Sequence, residues 1–157
     1  MKPLPVLSGL ILMVYLPLCL VPGEWFWFDP GVPVFEDTVQ GTSPALTYWR
    51  DFKTDGLLSY AVTVREKAAQ VPLCDGQTGP FQYHKNDGPV IGKDLNWWMG
   101  EKCILEPGAY WTETTWKLSD PLASLLPYPL SDLFGWILPP KYITRISPVF
   151  QILKVAE

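Results

Sequence analysis

Basic residues are few and scattered. Twelve Lys and Arg stand against 16 Asp and Glu, for a net charge of −4, and no run of cations occurs. Phosphate recognition needs clustered positive charge, so nucleic acid is excluded as an expected partner. Histidine is rarer still. His84 stands alone and no C-x-x-C pair accompanies it, so a zinc-type cluster lacks its ligands and no metal is expected. There is no G-x-S-x-G elbow, Walker loop or G-x-G-x-x-G cradle, which removes the usual signatures of nucleophilic hydrolases and phosphate-binding folds. Glu36 and Asp37 are adjacent and diverge on a strand, so they cannot work as a glycosidase pair. N-x-[ST] sequons are absent too. These absences predict a non-enzymatic chain without a cofactor.

Charge of either sign is missing from Pro3 to Gly23, "PLPVLSGLILMVYLPLCLVPG". A helix of 21 such residues would reach roughly 30 Å, the thickness of a bilayer's hydrocarbon core. Lys2 precedes the run and no basic residue follows closely, which predicts a cytoplasmic N-terminus and an exported body. The next residues, Trp25, Phe26, Trp27 and Phe28, fall where a membrane surface would lie, as amphipathic aromatics favour. Residues 1–23 therefore read as a transmembrane anchor and 24–33 as an interfacial linker. A cleavable signal is the alternative, with Val21 and Gly23 at the −3 and −1 positions. Both readings carry the body across the membrane. Cys19, preceded by Leu18, reads as one more apolar side chain.

Residues 34–157 have the alternation of an all-β domain, and the chain's 17 Pro and 12 Gly favour short strands and turns. Ala45–Lys53 and Leu57–Lys67 read as a hairpin through Thr54-Asp55-Gly56. In the second strand Leu58, Tyr60, Val62 and Val64 share one face. Gly92–Leu105 reads as a strand centred on Trp97 and Trp98, one ring entering the core and the other leaving it. Lys141–Val155 reads as the last strand, with Ile146, Pro148, Phe150 and Ile152 on one face and Pro148 at an edge or bulge.

"LEPGAY", residues 105–110, carries a resemblance. Pro107 and Gly108 make a turn and Tyr110 opens a strand with Tyr110, Thr112, Thr114, Trp116 and Leu118 on one face and Trp111, Glu113, Thr115 and Lys117 on the other. This resembles the tyrosine corner of immunoglobulin and fibronectin type III domains. The resemblance covers about fifteen residues and implies an immunoglobulin-like antiparallel sandwich after one N-terminal transmembrane helix. Thr112 stands where an antibody-type domain would have cysteine, which disfavours that subclass.

Cys74 and Cys103 form an even pair in the exported body and predict a disulfide. His84, Lys85, Asn86 and Asp87 lie between them in a turn-forming stretch. Ser119–Lys141 is a Pro-rich apolar insertion, with a short helix predicted at Ser131–Trp136 and capping by Ser131 or Asp132. It reads either as a lid on the domain or as a contact surface for a partner or membrane, with Leu133, Phe134 and Trp136 as contact residues. Small size, the minimal basic N-terminus and absent sequons suit a bacterial or phage-encoded envelope protein. The expected role is a membrane-tethered, periplasmic binding or accessory domain in an envelope complex. Two alternatives stand beside it: a small secreted enzyme using the His84 loop, and a structural subunit that adds strands at the Pro148 edge.

Overall fold

The computed structural model describes residues 4–121, 123 and 125–155, with backbone alone at 4–8, 10, 11, 133, 134 and 136. The chain opens with helix α1 (Leu4–Leu20) and a single turn, α2 (Gly23–Phe26). Five short strands follow: β1 (Phe28–Asp29), β2 (Val34–Phe35), β3 (Thr38–Val39), β4 (Ala45–Tyr48) and β5 (Asp51–Phe52). Two long ones come next, β6 (Gly56–Glu66) and β7 (Pro72–Tyr83). Then come β8 (Val90–Asp94), helix α3 (Leu95–Met99) and β9 (Gly108–Leu118). The insertion holds helix α4 (Leu130–Phe134) and a 3-10 turn at Gly135–Ile137, before β10 (Lys141–Ile146) and β11 (Phe150–Leu153).

The fold is predominantly β. A six-stranded sheet runs β3-β11-β9-β6-β7, with β10 also paired to β9. Its pairs are antiparallel except β11 with β3, so the sheet is mixed. A three-stranded sheet, β2-β4-β8, and the pair β1-β5 complete the framework. The period-2 pattern of β6 and β9 is what builds the core. Leu58, Tyr60, Val62 and Val64 from one strand and Tyr110, Thr112, Thr114, Trp116 and Leu118 from the other are all buried. Against that face lie rings from the smaller sheets. Trp116 touches Tyr48 and Phe28, with centroids 5.9 and 6.1 Å away, and Tyr60 lies 4.5 Å from it. Offset and edge-on ring pairs of this kind add about 0.5–1.5 kcal/mol each beyond burial.

Several expectations are corrected. Thr54-Asp55-Gly56 does not turn a hairpin. Phe52 pairs with Phe28 in β1, whereas β6 pairs with β7 and β9, so the connection carries the chain from one sheet to another. Asp55 fixes this crossing by accepting the Lys85 N–H at 2.6 Å. The predicted strand over Gly92–Leu105 stops at Asp94. Asp94 caps α3 by accepting the Trp97 N–H at 2.9 Å, and Gly100 ends the helix at φ 75°. Trp98 is buried and Trp97 is 45% exposed, so the two rings do part, by helical rather than strand geometry. The helix backbone presses on β7 at Gly76, where any side chain would run into the Met99 carbonyl. Cys74 and Cys103 are bonded across this contact, with Cα atoms 6.0 Å apart. Closing a 29-residue separation is worth about 3–4 kcal/mol in chain entropy.

The last strand is two strands on one edge of β9, separated by a bulge. Ser147 donates its N–H to Thr112 and accepts the Thr112 N–H on its hydroxyl. The extra residues flip the alternation, so Ile143, Ser147, Phe150 and Ile152 face inward while Ile146 and Pro148 are exposed. Because β3 pairs with β11 on its outer side, the segment after Pro148 is not an open edge.

The N-terminal third differs most from expectation. Trp27 and Phe28, expected at a membrane interface, are each 1% exposed and belong to the core. Residues 24–33 are therefore no free linker, because the β1-β5 pair and the Trp27 indole fasten them to the body. Helix α1 is 17 residues long, shorter than the uncharged run. Among the described residues no helix is long and apolar enough to cross a membrane. In the insertion, α4 is preceded by Pro129 without a side-chain cap, so neither Ser131 nor Asp132 plays the capping part expected of it.

Candidate functional site

A cleft of about 510 Å³ opens where β7, the turn after it, β8 and α3 meet. Arg50, Asp87 and Lys93 bring charge to it, and Phe81, Ile91 and Trp97 bring exposed apolar surface. Arg50 reaches it because the chain breaks between β4 and β5. The break is set by the Asp29-Pro30-Gly31 turn: Gly31, at φ 63°, lies so close to the Trp49 carbonyl that a Cβ would collide with it. The Arg50 guanidinium then lies 5.3 Å from the ring centres of both Phe52 and Tyr83. Its Nε donates to the Gly88 carbonyl at 2.9 Å. Burial pushes the Tyr83 hydroxyl up to about 12, a rise that the Arg50 charge opposes and the Tyr60 hydroxyl reinforces. Lys93 sits with its ammonium 5.2 Å over the Trp97 ring. An adjoining groove shares Lys93 and Trp97 and continues along Ser43, Ala45 and Asp94.

A second polar centre joins α1 to the body. Lys141, 7% exposed, donates its ammonium to the carbonyls of Leu18, Cys19 and Val21 at 2.8, 2.6 and 3.0 Å. The last carbonyls of a helix lack partners within it and carry its negative dipole end, so a cation is favoured there. Burial lowers the Lys141 pKa from its ordinary value, while the nearby Cys19 thiol works the other way. Alongside, Arg145 pairs with Glu24 at 2.7 Å and Asp29 at 3.1 Å. Burial alone would raise the Asp29 carboxyl, but the Gly31 N–H and the Arg145 guanidinium prevail and hold it below the usual carboxylate range. Trp27 donates its indole N–H to the Pro121 carbonyl at 2.6 Å, and Tyr15 donates to Ile137 at 3.1 Å. The insertion thus packs against both the helix and its junction.

The residues singled out from sequence fall as follows. Trp25 and Phe26 are exposed, at 66% and 49%, whereas Trp27 and Phe28 are not. Leu133 and Phe134 lie on α4 and Trp136 on the 3-10 turn, but their side chains are outside the described residues. Tyr110 donates its hydroxyl to the Glu106 carbonyl at 2.7 Å, over the turn at Pro107 and Gly108. His84 is open to solvent with Nδ1 3.8 Å from an Asp55 carboxylate oxygen. Among the described residues no cluster of His, Cys, Asp or Glu could hold a metal ion.

Arg50, Lys93 and Lys141 escaped the sequence reading. For Arg50 a signal exists in "YWRDF", a cation bracketed by aromatics. For Lys141 there is none, since its partners are backbone carbonyls some 120 residues away. No protein-family model matches this chain, and neither a curated protein nor a solved structure does so.

Proposed function

We propose that the protein is a membrane-tethered binding module, with residues 3–23 seated in lipid and the β body held outside the cytoplasm. The observation that carries this reading is the surface of α1. Leu12, Met13, Val14, Leu16 and Leu20 are all more than half exposed, so the outward side of the helix is apolar, while Tyr15, Leu18 and Cys19 on its other side pack against the body. A helix apolar on every side belongs in a core or in lipid. Covering five such side chains is worth on the order of 10 kcal/mol. The uncharged run from Pro3 to Gly23 supplies 21 residues, and spanning helices use about 17–25.

Lys141 suits the base of such an anchor, satisfying the helix end and tying it to β10. Trp25 and Phe26 lie just beyond it at the expected interface, and exposed Leu125, Tyr128 and Leu130 of the insertion belong to the part that packs on α1 and its junction. This favours the insertion as a membrane-facing or partner-facing surface, with Leu133, Phe134 and Trp136 as its contact residues. The Cys74–Cys103 bond supports an oxidising compartment such as the periplasm. The Tyr110–Glu106 hydrogen bond supports an immunoglobulin- or fibronectin-III-like reading of the body.

Vesicle flotation of the full chain after detergent removal tests the tether. Wild type is expected to float and to resist alkaline extraction. The double variant Leu12→Lys, Leu16→Lys is expected to stay behind while its body unfolds at an unchanged temperature, because both side chains point away from the core. Wild-type protein that remains with the soluble fraction would overturn the proposal.

A further inference from the structure

Arg50 is a cation short of partners. Its side chain is only 18% exposed, yet among the described residues its one hydrogen bond is from Nε to Gly88. The Asp87 carboxylate comes no nearer than 3.9 Å to Nη2, and that same oxygen already accepts the His84 N–H at 3.1 Å. The Nη donors of Arg50 are not sealed from solvent but face the open cleft. Here the Nη edge is left open while the rings of Phe52 and Tyr83 hold the group in place. A planar, pre-placed guanidinium edge is the shape that receives a carboxylate through two parallel hydrogen bonds.

The surroundings narrow the ligand. Lys93 adds a second cation to the same cleft, against a single acid, Asp87, in a protein of net charge −4. The rest of the wall joins polar Thr78 and Gln82 to apolar side chains, with Phe81 at 45% and Ile91 at 73% exposure. The cleft lies between β7 and β8, each at an edge of its sheet. Pro80 in that part of β7 offers no N–H, so an incoming strand could not continue the ladder. A compact ligand fits this geometry better than an added strand.

We propose that this cleft binds a carboxylate attached to a compact apolar group. The carboxylate pairs with the Nη edge of Arg50 beside Lys93, and the apolar group packs on Phe81 and Ile91. The inference deepens the reading of the body as a binding module, and it is independent of the tether. Such a group occurs both at the C-terminal residue of a peptide and in a free small acid.

Calorimetric titration of the detergent-solubilised full chain separates these sources. The probes are N-acetyl-phenylalanine for a peptide end, 3-phenylpropionate for a free acid, N-acetyl-phenylalanine amide as the neutral control, and inorganic phosphate. At least one of the two acids should bind, and whichever binds names the source. The amide and phosphate should each bind about tenfold more weakly or not at all. Arg50→Lys, which keeps the charge but loses the paired geometry, should weaken the bound acid about tenfold. Lys93→Gln, at an exposed site that leaves the core intact, should weaken it by a smaller factor. The inference is overturned if neither acid binds at millimolar concentration, or if the amide or phosphate equals the better acid. A chain that binds an acid but fails to float with vesicles would leave this inference standing and remove the tether alone.

Discussion

Tyr48 and Tyr83 place phenol groups where ionisation is disfavoured. Tyr48 is 1% exposed and its hydroxyl has no hydrogen-bond partner among the described residues. Burial raises its pKa, with the Arg50 charge working against the rise. Tyr83 is pushed up to about 12 for the same first reason. An unfolded tyrosine ionises near 10. The stability these residues contribute is therefore complete below pH 10 and is lost as pH rises through the folded-state values. Alkaline titration followed by tyrosine absorbance should show a late, cooperative rise above pH 10 that coincides with loss of near-UV circular dichroism. A gradual rise centred on 10, with all seven tyrosines titrating while the fold persists, would contradict this packing. Residues of this kind are only half legible in sequence. Alternation places Tyr60 and Trp116 inward, because neighbours on one strand must take opposite faces. It says nothing of Tyr48 meeting Trp98 at 4.8 Å, because that contact depends on how separate elements dock.

Among the elements, β6 and β9 are legible because each buries one face along its whole length. Helix α3 is hidden by its own composition: adjacent Trp residues suit a strand, and five residues are too few for a helical period. Asp94 and Gly100 are the signals that outweigh propensity there, an N-cap before the turn and a left-handed residue after it. The Trp25–Phe28 cluster splits for a comparable reason. Its backbone passes from α2 into β1, and the pairing of Phe28 with Phe52 draws two of four aromatics inward. The candidate cleft is less legible still, since Arg50, Asp87 and Lys93 come together only through the break between β4 and β5. The union of α1 with β10 rests on Lys141. Lys141→Met removes three charged hydrogen bonds and leaves helix-end carbonyls bare, which should cost about 2–3 kcal/mol and lower the melting temperature by about 5–10 °C. Unchanged melting would mean that the helix end is satisfied in some other way.

At the scale of the molecule, two features support the proposed tether. The body is an aromatic β core closed by a disulfide, and the part fastened to it through Lys141 and Tyr15 is a helix with apolar side chains facing outward. An apolar surface of that kind in water drives aggregation, and a disulfide does not persist in a reducing cytosol. Both are stable if lipid covers α1 and the body lies beyond it. Fractionation of cells expressing the full chain, with alkylation of Cys74 and Cys103 read by mass spectrometry before and after reduction, tests this directly. The account predicts protein in the membrane fraction with both thiols alkylated only after reduction; soluble protein with both already alkylated would contradict it.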